Sequence, residues 1–147
     1  MTSDLIFALA GAAVLPGWML LAFLPASPWT RRYTTVAVPV VLGLVYLYLM
    51  AANLGRTGGG FGSLTEVQRL FDDRQLALAG WVHYLVLDLF VGAWEVRDAR
   101  RLGLRHVLVV PCLALTFLLG PVGLLSYLGL RTGLRGTSIA SRPRGQR

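Results

Sequence analysis

Lysine is absent from this 147-residue sequence, and all fourteen of its basic residues are arginine. Cysteine occurs once, at Cys112, and histidine twice, at His83 and His106. A single cysteine excludes an internal disulfide and any zinc cluster built on several thiolates. Two histidines exclude a histidine-rich iron centre within one chain. The net charge is +7. The aromatic residues nevertheless lie inside apolar runs, so a base-stacking surface has no support and no nucleic-acid partner is expected. The opening Met1-Thr2-Ser3-Asp4 has no basic n-region and no evident plastid transit character. The apolar run behind it therefore reads as a retained helix and not as a signal peptide.

What the chain has in quantity is apolar sequence, 55% of its residues, gathered into long blocks with the charges between them. A helix needs about 20 apolar residues to cross about 30 Å of hydrocarbon. Four blocks meet or approach that length: Leu5 to Leu24, Val36 to Leu54, Leu76 to Val96 and His106 to Leu130. Pro16-Gly17 predicts a kink in the first and Gly120-Pro121 a kink in the last. Between the second and third blocks, Ser63-Leu64-Thr65-Glu66 reads as a capping box. It opens a short amphipathic helix, with Leu64, Val67, Leu70 and Phe71 on one face. The expected fold is all-α: an integral membrane four-helix bundle with one short interfacial amphipathic helix. A single transmembrane domain spans 1–131, and a disordered basic tail covers 132–147. Four spans predict both ends of the chain on one side of the membrane. Arginines beside apolar spans are expected to meet lipid headgroups. The composition suggests a bacterial cytoplasmic membrane.

The third block carries the chemistry. An ionisable side chain in hydrocarbon costs at least about 2.5–3.5 kcal/mol, so it needs a reason to be there. Trp81, Tyr84, Asp88, Val91, Glu95 and Asp98 follow a 3-4-3-4-3 spacing and fall on one helix face. That face is expected to look into the bundle. His83 is about 140° of rotation from Asp88 on an ideal helix, so a dyad within this helix is poorly supported. Antiparallel packing of the last two spans would bring His106 near Glu95 and Asp98. It would also bring Thr116 and the carbonyls freed at Gly120-Pro121 near Asp88, with Asn53 towards the His83 end. Asp88 and Glu95 are expected to fix the bundle by hydrogen bonding between helices; the alternative is that Asp88 and His83 serve acid–base chemistry. Asp98 and His106 read as loop or headgroup contacts. Asp88 and Glu95 lie about 10 Å apart along the axis, too far to share one metal unaided, and no metal site is assigned. Trp18, Trp81, Tyr84 and Phe90 are candidates to line a groove for a flat apolar ligand.

Trp81-Val82-His83-Tyr84-Leu85 followed by Asp88-Leu89-Phe90-Val91-Gly92-Ala93-Trp94 resembles the most characteristic stretch of the neoxanthin-synthase-like family, the abscisic-acid-deficient family of plants and its bacterial relatives. Gly59-Gly60-Phe61-Gly62-Ser63-Leu64, Pro111-Cys112-Leu113, Thr116-Phe117, Gly120-Pro121 and Gly123-Leu124-Leu125 fit as well, and the likeness runs from Pro16-Gly17-Trp18 to about Arg131. The resemblance implies a membrane enzyme acting on a carotenoid or related isoprenoid. Its reaction would be an acid–base isomerisation in which an epoxide opens, a neighbouring proton is lost and an allene forms, with no cofactor. Carried onto this chain, His83, Asp88 and Tyr84 would be catalytic. Trp18, Trp81, Phe90, Trp94, Glu95, Asn53 and Thr116 would contact substrate. Three alternatives stay open: a non-enzymatic pigment-binding or accessory subunit, oxidative carotenoid cleavage at a carboxylate-assisted metal, and a proton pathway through Asp88 and Glu95. The expected partners are membrane lipid, the carotenoid, and a second copy or a carotenoid-pathway protein.

Overall fold

The structure, a computed structural model, describes residues 2–140, with side chains as far as Leu134. Among the described residues there are six helices and no strand. They are α1 (Ser3–Phe23), α2 (Pro28–Asn53), α3 (Leu64–Asp72), α4 (Arg74–Arg101), α5 (His106–Leu119) and α6 (Pro121–Ala140). Three of them, α1, α2 and α4, are long and apolar enough to cross a membrane.

Helix α4 is the axis on which the other elements pack. Asp73 caps it by accepting from the amides of Gln75 and Leu76, and Gly103 ends it in the left-handed region at φ 68°. The buried face of α4 carries Leu78, Val82, Leu85, Leu89, Ala93, Val96 and Ala99. Helix α1 runs parallel to it. Ser3 accepts from the Gln75 side chain (2.9 Å) at one end, and Arg100 donates to the Pro25 carbonyl (2.9 Å) at the other. Near the middle of α1, Gly17 admits Leu89, whose Cδ1 would stand 3.0 Å from any added Cβ.

Helix α2 returns antiparallel, with the Tyr46 ring 5.6 Å from that of His83. It contains one wide π turn, Tyr33–Ala37, in which the Val38 amide reaches back to the Tyr33 carbonyl. Pro39 follows directly and offers no amide of its own. The Tyr33 hydroxyl donates to the Ala13 carbonyl (2.7 Å), tying α2 to the turn that precedes Pro16. Half of the predicted capping box appears in α3: the Ser63 hydroxyl accepts from the Glu66 amide (3.2 Å), while the Glu66 carboxylate accepts from the amide of Gly62 (3.0 Å), one residue before the cap.

The fourth block departs from expectation. It is two helices, not one kinked span. Helix α5 has fourteen residues, about 21 Å at 1.5 Å per residue, which is short of a full crossing. It starts near the Arg100 end of α4, where a ring nitrogen of His106 lies 2.9 Å from the Ala22 carbonyl. It ends at Gly120, beside Asp88, halfway along α4. Helix α6 then comes back: the Tyr127 hydroxyl donates to Asp98 (2.7 Å), and Arg131 pairs with the same carboxylate (3.2 Å). Two glycines permit the reversal. Gly120 sits at φ 39°, and a Cβ on Gly123 would stand 2.0 Å from the Thr116 nitrogen, so α5 and α6 touch backbone to backbone. Asp98 is therefore a packed residue and not a loop contact, and His106 meets α1 instead of Glu95. Ser3 and Arg131 consequently lie at opposite ends of α4. Helix α6 continues to Ala140, past the predicted start of a disordered tail, and the rest of that tail, 141–147, lies outside the described residues.

Two expectations follow. Topology reporters fused at residue 2 and after residue 134 should report opposite faces of the membrane; a shared face would mean that α5 and α6 form a single span after all. Gly123→Ala should lower stability in detergent by about 1–3 kcal/mol or more, because the added methyl meets backbone that cannot give way. Gly43→Ala, where a Cβ meets nothing within 4 Å, should be neutral or stabilising in the same thermal unfolding assay.

Candidate functional site

The reversal of α5 into α6 leaves a polar backbone at mid-depth of α4, and the site is built around it. Pro121 has no amide, so the Phe117 carbonyl four residues before it loses its helical donor. The Tyr84 hydroxyl supplies one, at 3.2 Å. The Gly120 amide closes on the Thr116 carbonyl (2.9 Å). The Thr116 side chain, fully buried, donates to Oε1 of Glu95 (2.9 Å), which is buried as completely. Two of the polar residues on α4 thus serve the hairpin.

Asp88 is on the same face and is not used up in that way. Its carboxylate lies against Gly120, with Oδ1 2.7 Å from where a Cβ would be. Any side chain at 120 would displace it. Oδ2 is buried and has no hydrogen-bond partner among the described residues; the same holds for Oε2 of Glu95.

From Asp88 towards the Ser3 end, the hairpin no longer covers α4, and the face opens. Tyr84 stacks on Trp81 and Trp81 on Phe7 of α1, each pair with centroids 5.5 Å apart and planes at 28°. Phe7 is 52% and Trp81 40% exposed. A cavity of ≈ 250 Å³ lined by Phe7, Ala77, Leu78 and Trp81 lies at the foot of this row, next to the Arg74–Asp4 ion pair. The arrangement is a lane of three stacked rings, open on its outer side, with a carboxyl group at its closed inner end.

The predicted stripe is therefore covered only in part. Glu95 and Asp88 lie under the hairpin, whereas Trp81 does not, because α5 and α6 reach only half the length of α4. The ten predicted site residues separate into groups. Asp88, Tyr84 and Trp81 line the lane. Trp18, Glu95 and Thr116 pack behind it: the Trp18 indole fills the space that Gly92 leaves and meets Phe117 edge-on at 5.4 Å. His83 is exposed on another face, against Tyr46, where it lines a ≈ 210 Å³ cavity with Phe61, Phe71 and Gly80. Phe90 is exposed beneath the Arg97 guanidinium (5.8 Å). Trp94 packs edge-on against Tyr127 at 5.5 Å. Asn53 donates to the Leu49 carbonyl (2.8 Å) and lines a separate ≈ 830 Å³ groove between α1 and α2. His83 and Asp88 are not brought together. Sequence reasoning placed the Gly120-Pro121 break near Asp88, where the structure has it, and missed Phe7. For Gly120 the signal was Pro121, which marks where a carbonyl is orphaned. For Phe7 there was none, because nothing in the spacing shows that α1 runs parallel to α4.

Tyr84→Phe should test the hairpin support directly. It leaves a buried carbonyl without its donor and should cost about 1–3 kcal/mol in thermal unfolding. An unchanged melting temperature would show that the carbonyl finds another partner.

The family described as ABA DEFICIENT 4-like matches residues 5–127. The chain is also similar to Protein ABA DEFICIENT 4, chloroplastic, of Arabidopsis thaliana, with 26% identity over 133 residues, covering 83% of this chain and 58% of the plant protein. The chain thus spans less than two thirds of that relative. No solved structure matches it.

Proposed function

Because the chain belongs to the ABA DEFICIENT 4-like family, we propose that it is a membrane protein of carotenoid metabolism whose lane holds one end of a carotenoid or related isoprenoid. The reading has α1, α2 and α4 crossing a bacterial cytoplasmic membrane, with α5 and α6 entering and leaving from one face. The observation that carries it is the pairing of a stacked aromatic row with the Asp88 carboxyl group, one oxygen of which is buried and makes no hydrogen bond among the described residues. Flat polyene chains suit stacked rings, and a carboxyl group at the end of the row meets the oxygenated end of such a molecule.

The reaction we propose is an isomerisation. One C–O bond of an epoxide breaks, the oxygen gains a proton, and a neighbouring carbon loses one as the allene forms. No electrons are gained or lost overall. Asp88 would give its proton to the oxygen and, as carboxylate, take the proton from carbon. Tyr84 would orient the end group from its place beside Asp88. His83 has no part in this scheme, because it faces a different cavity.

A second reading has its own support. With His83 apart from Asp88, the lane holds one carboxyl group and no separate base, which also suits a pigment-binding or accessory subunit.

Pigment analysis of carotenoid-accumulating cells expressing the chain distinguishes the two. A new pigment supports the enzyme, and co-purified but unchanged pigment supports the binder. In the first case Asp88→Asn should abolish conversion while leaving thermal stability in detergent near that of the parent, since the amide keeps the shape and loses the exchangeable proton. His83→Gln should retain conversion. Full activity in Asp88→Asn would remove Asp88 from the chemistry.

A further inference from the structure

Away from the lane, the turn between α1 and α2 and the last turns of α4 enclose a cleft of ≈ 250 Å³. Arg31, Arg97 and Arg100 line it, and no Asp or Glu is among its described lining residues. Arg31 and Arg101 both lie near enough to Arg97 to act on its charge. The ion pairs found among the described residues, Arg74 with Asp4 and Arg131 with Asp98, are elsewhere. Arg100 spends one N–H on the Pro25 carbonyl (2.9 Å). The Arg97 guanidinium carbon lies 5.8 Å from the centre of the Phe90 ring. Each guanidinium carries five donors, so most of this donor capacity is unspent.

Like charges gathered around so small a space repel one another, and an anion between them turns the repulsion into binding. Planar guanidinium forks match phosphate oxygens well. The cleft also has an apolar side, formed by Leu21, Ala93 and Val96. At its rim, Trp29 is 72% exposed, with Arg32 6.0 Å over its ring, as at a membrane interface.

The geometry points to a phosphate-binding site in this cleft, held by Arg31, Arg97 and Arg100 and filled by the phosphate of a phospholipid headgroup or by free phosphate. The site is independent of the lane and of any pigment.

The test uses the full chain in detergent, titrated with short-chain phosphatidylglycerol and, separately, with inorganic phosphate. Binding is read by native mass spectrometry and by the shift in melting temperature. The parent should bind at least one of the two. Saturation by phosphatidylglycerol that millimolar phosphate does not displace assigns the site to headgroups, whereas saturation by phosphate alone assigns it to the free ion. Arg97→Gln should weaken binding by about tenfold or more. Arg31→Gln, at an exposed position, should do the same and guards against misfolding in the first variant. Arg105→Gln, exposed and outside the cleft, should bind as the parent does. The proposal is overturned if neither probe binds the parent, or if Arg31→Gln and Arg105→Gln bind alike.

Discussion

Backbone placed in hydrocarbon must find its hydrogen bonds within the protein, and the rest of this structure follows from how the Gly120-Pro121 break meets that demand. A helix ending at mid-depth presents carbonyls that water cannot reach. Here one is closed by the Gly120 amide and another by the Tyr84 hydroxyl. Glu95 fixes the same turn through Thr116. The polar residues of α4 are thus placed where a polar backbone needs them. Asp88 stands apart, since it touches the turn at a glycine and lies beside the Tyr84 hydroxyl, which is spent on the Phe117 carbonyl.

The same break sets the exposure of everything below it. The helix pair covers one half of the α4 face that carries Asp88 and leaves the other half of that face to Phe7 of α1. The ring row of Phe7, Trp81 and Tyr84 occupies the uncovered half. Support and access therefore have one origin. The segment that shields Glu95 completely is too short to shield Trp81.

Much of this was legible from residue order. The apolar blocks around Pro16, Pro39 and Asp88 became α1, α2 and α4, because length and hydropathy are properties a linear pattern carries. The Ser63–Glu66 cap was legible for the same reason: its contacts are local. The fourth block was not, because hydropathy counts residues and does not record direction. A Gly-Pro pair inside an apolar run fits a kink as well as a reversal. What decides between them is Gly123, three residues on, where only a missing side chain lets α6 lie against Thr116. The role of Asp98 depended on that reversal and was misread with it, and its partners Tyr127 and Arg131 had been assigned no role. The distance of His83 from Asp88 was legible in their five-residue spacing; the neighbours each residue gained in three dimensions were not.

The open flank of the ring row also bears on how occupancy is to be reckoned. Under the proposed function, a molecule dissolved in the bilayer would slide in sideways without passing through water, so burial against Phe7 and Trp81 would exchange one oily surrounding for another. Little hydrophobic driving force remains to be gained from that step. On that reading, selectivity would rest on shape and on whatever oxygen the guest presents to Asp88. The quantity that governs filling is mole fraction within the lipid, a two-dimensional measure, so an aqueous dissociation constant would misstate the affinity by the partition coefficient of the guest.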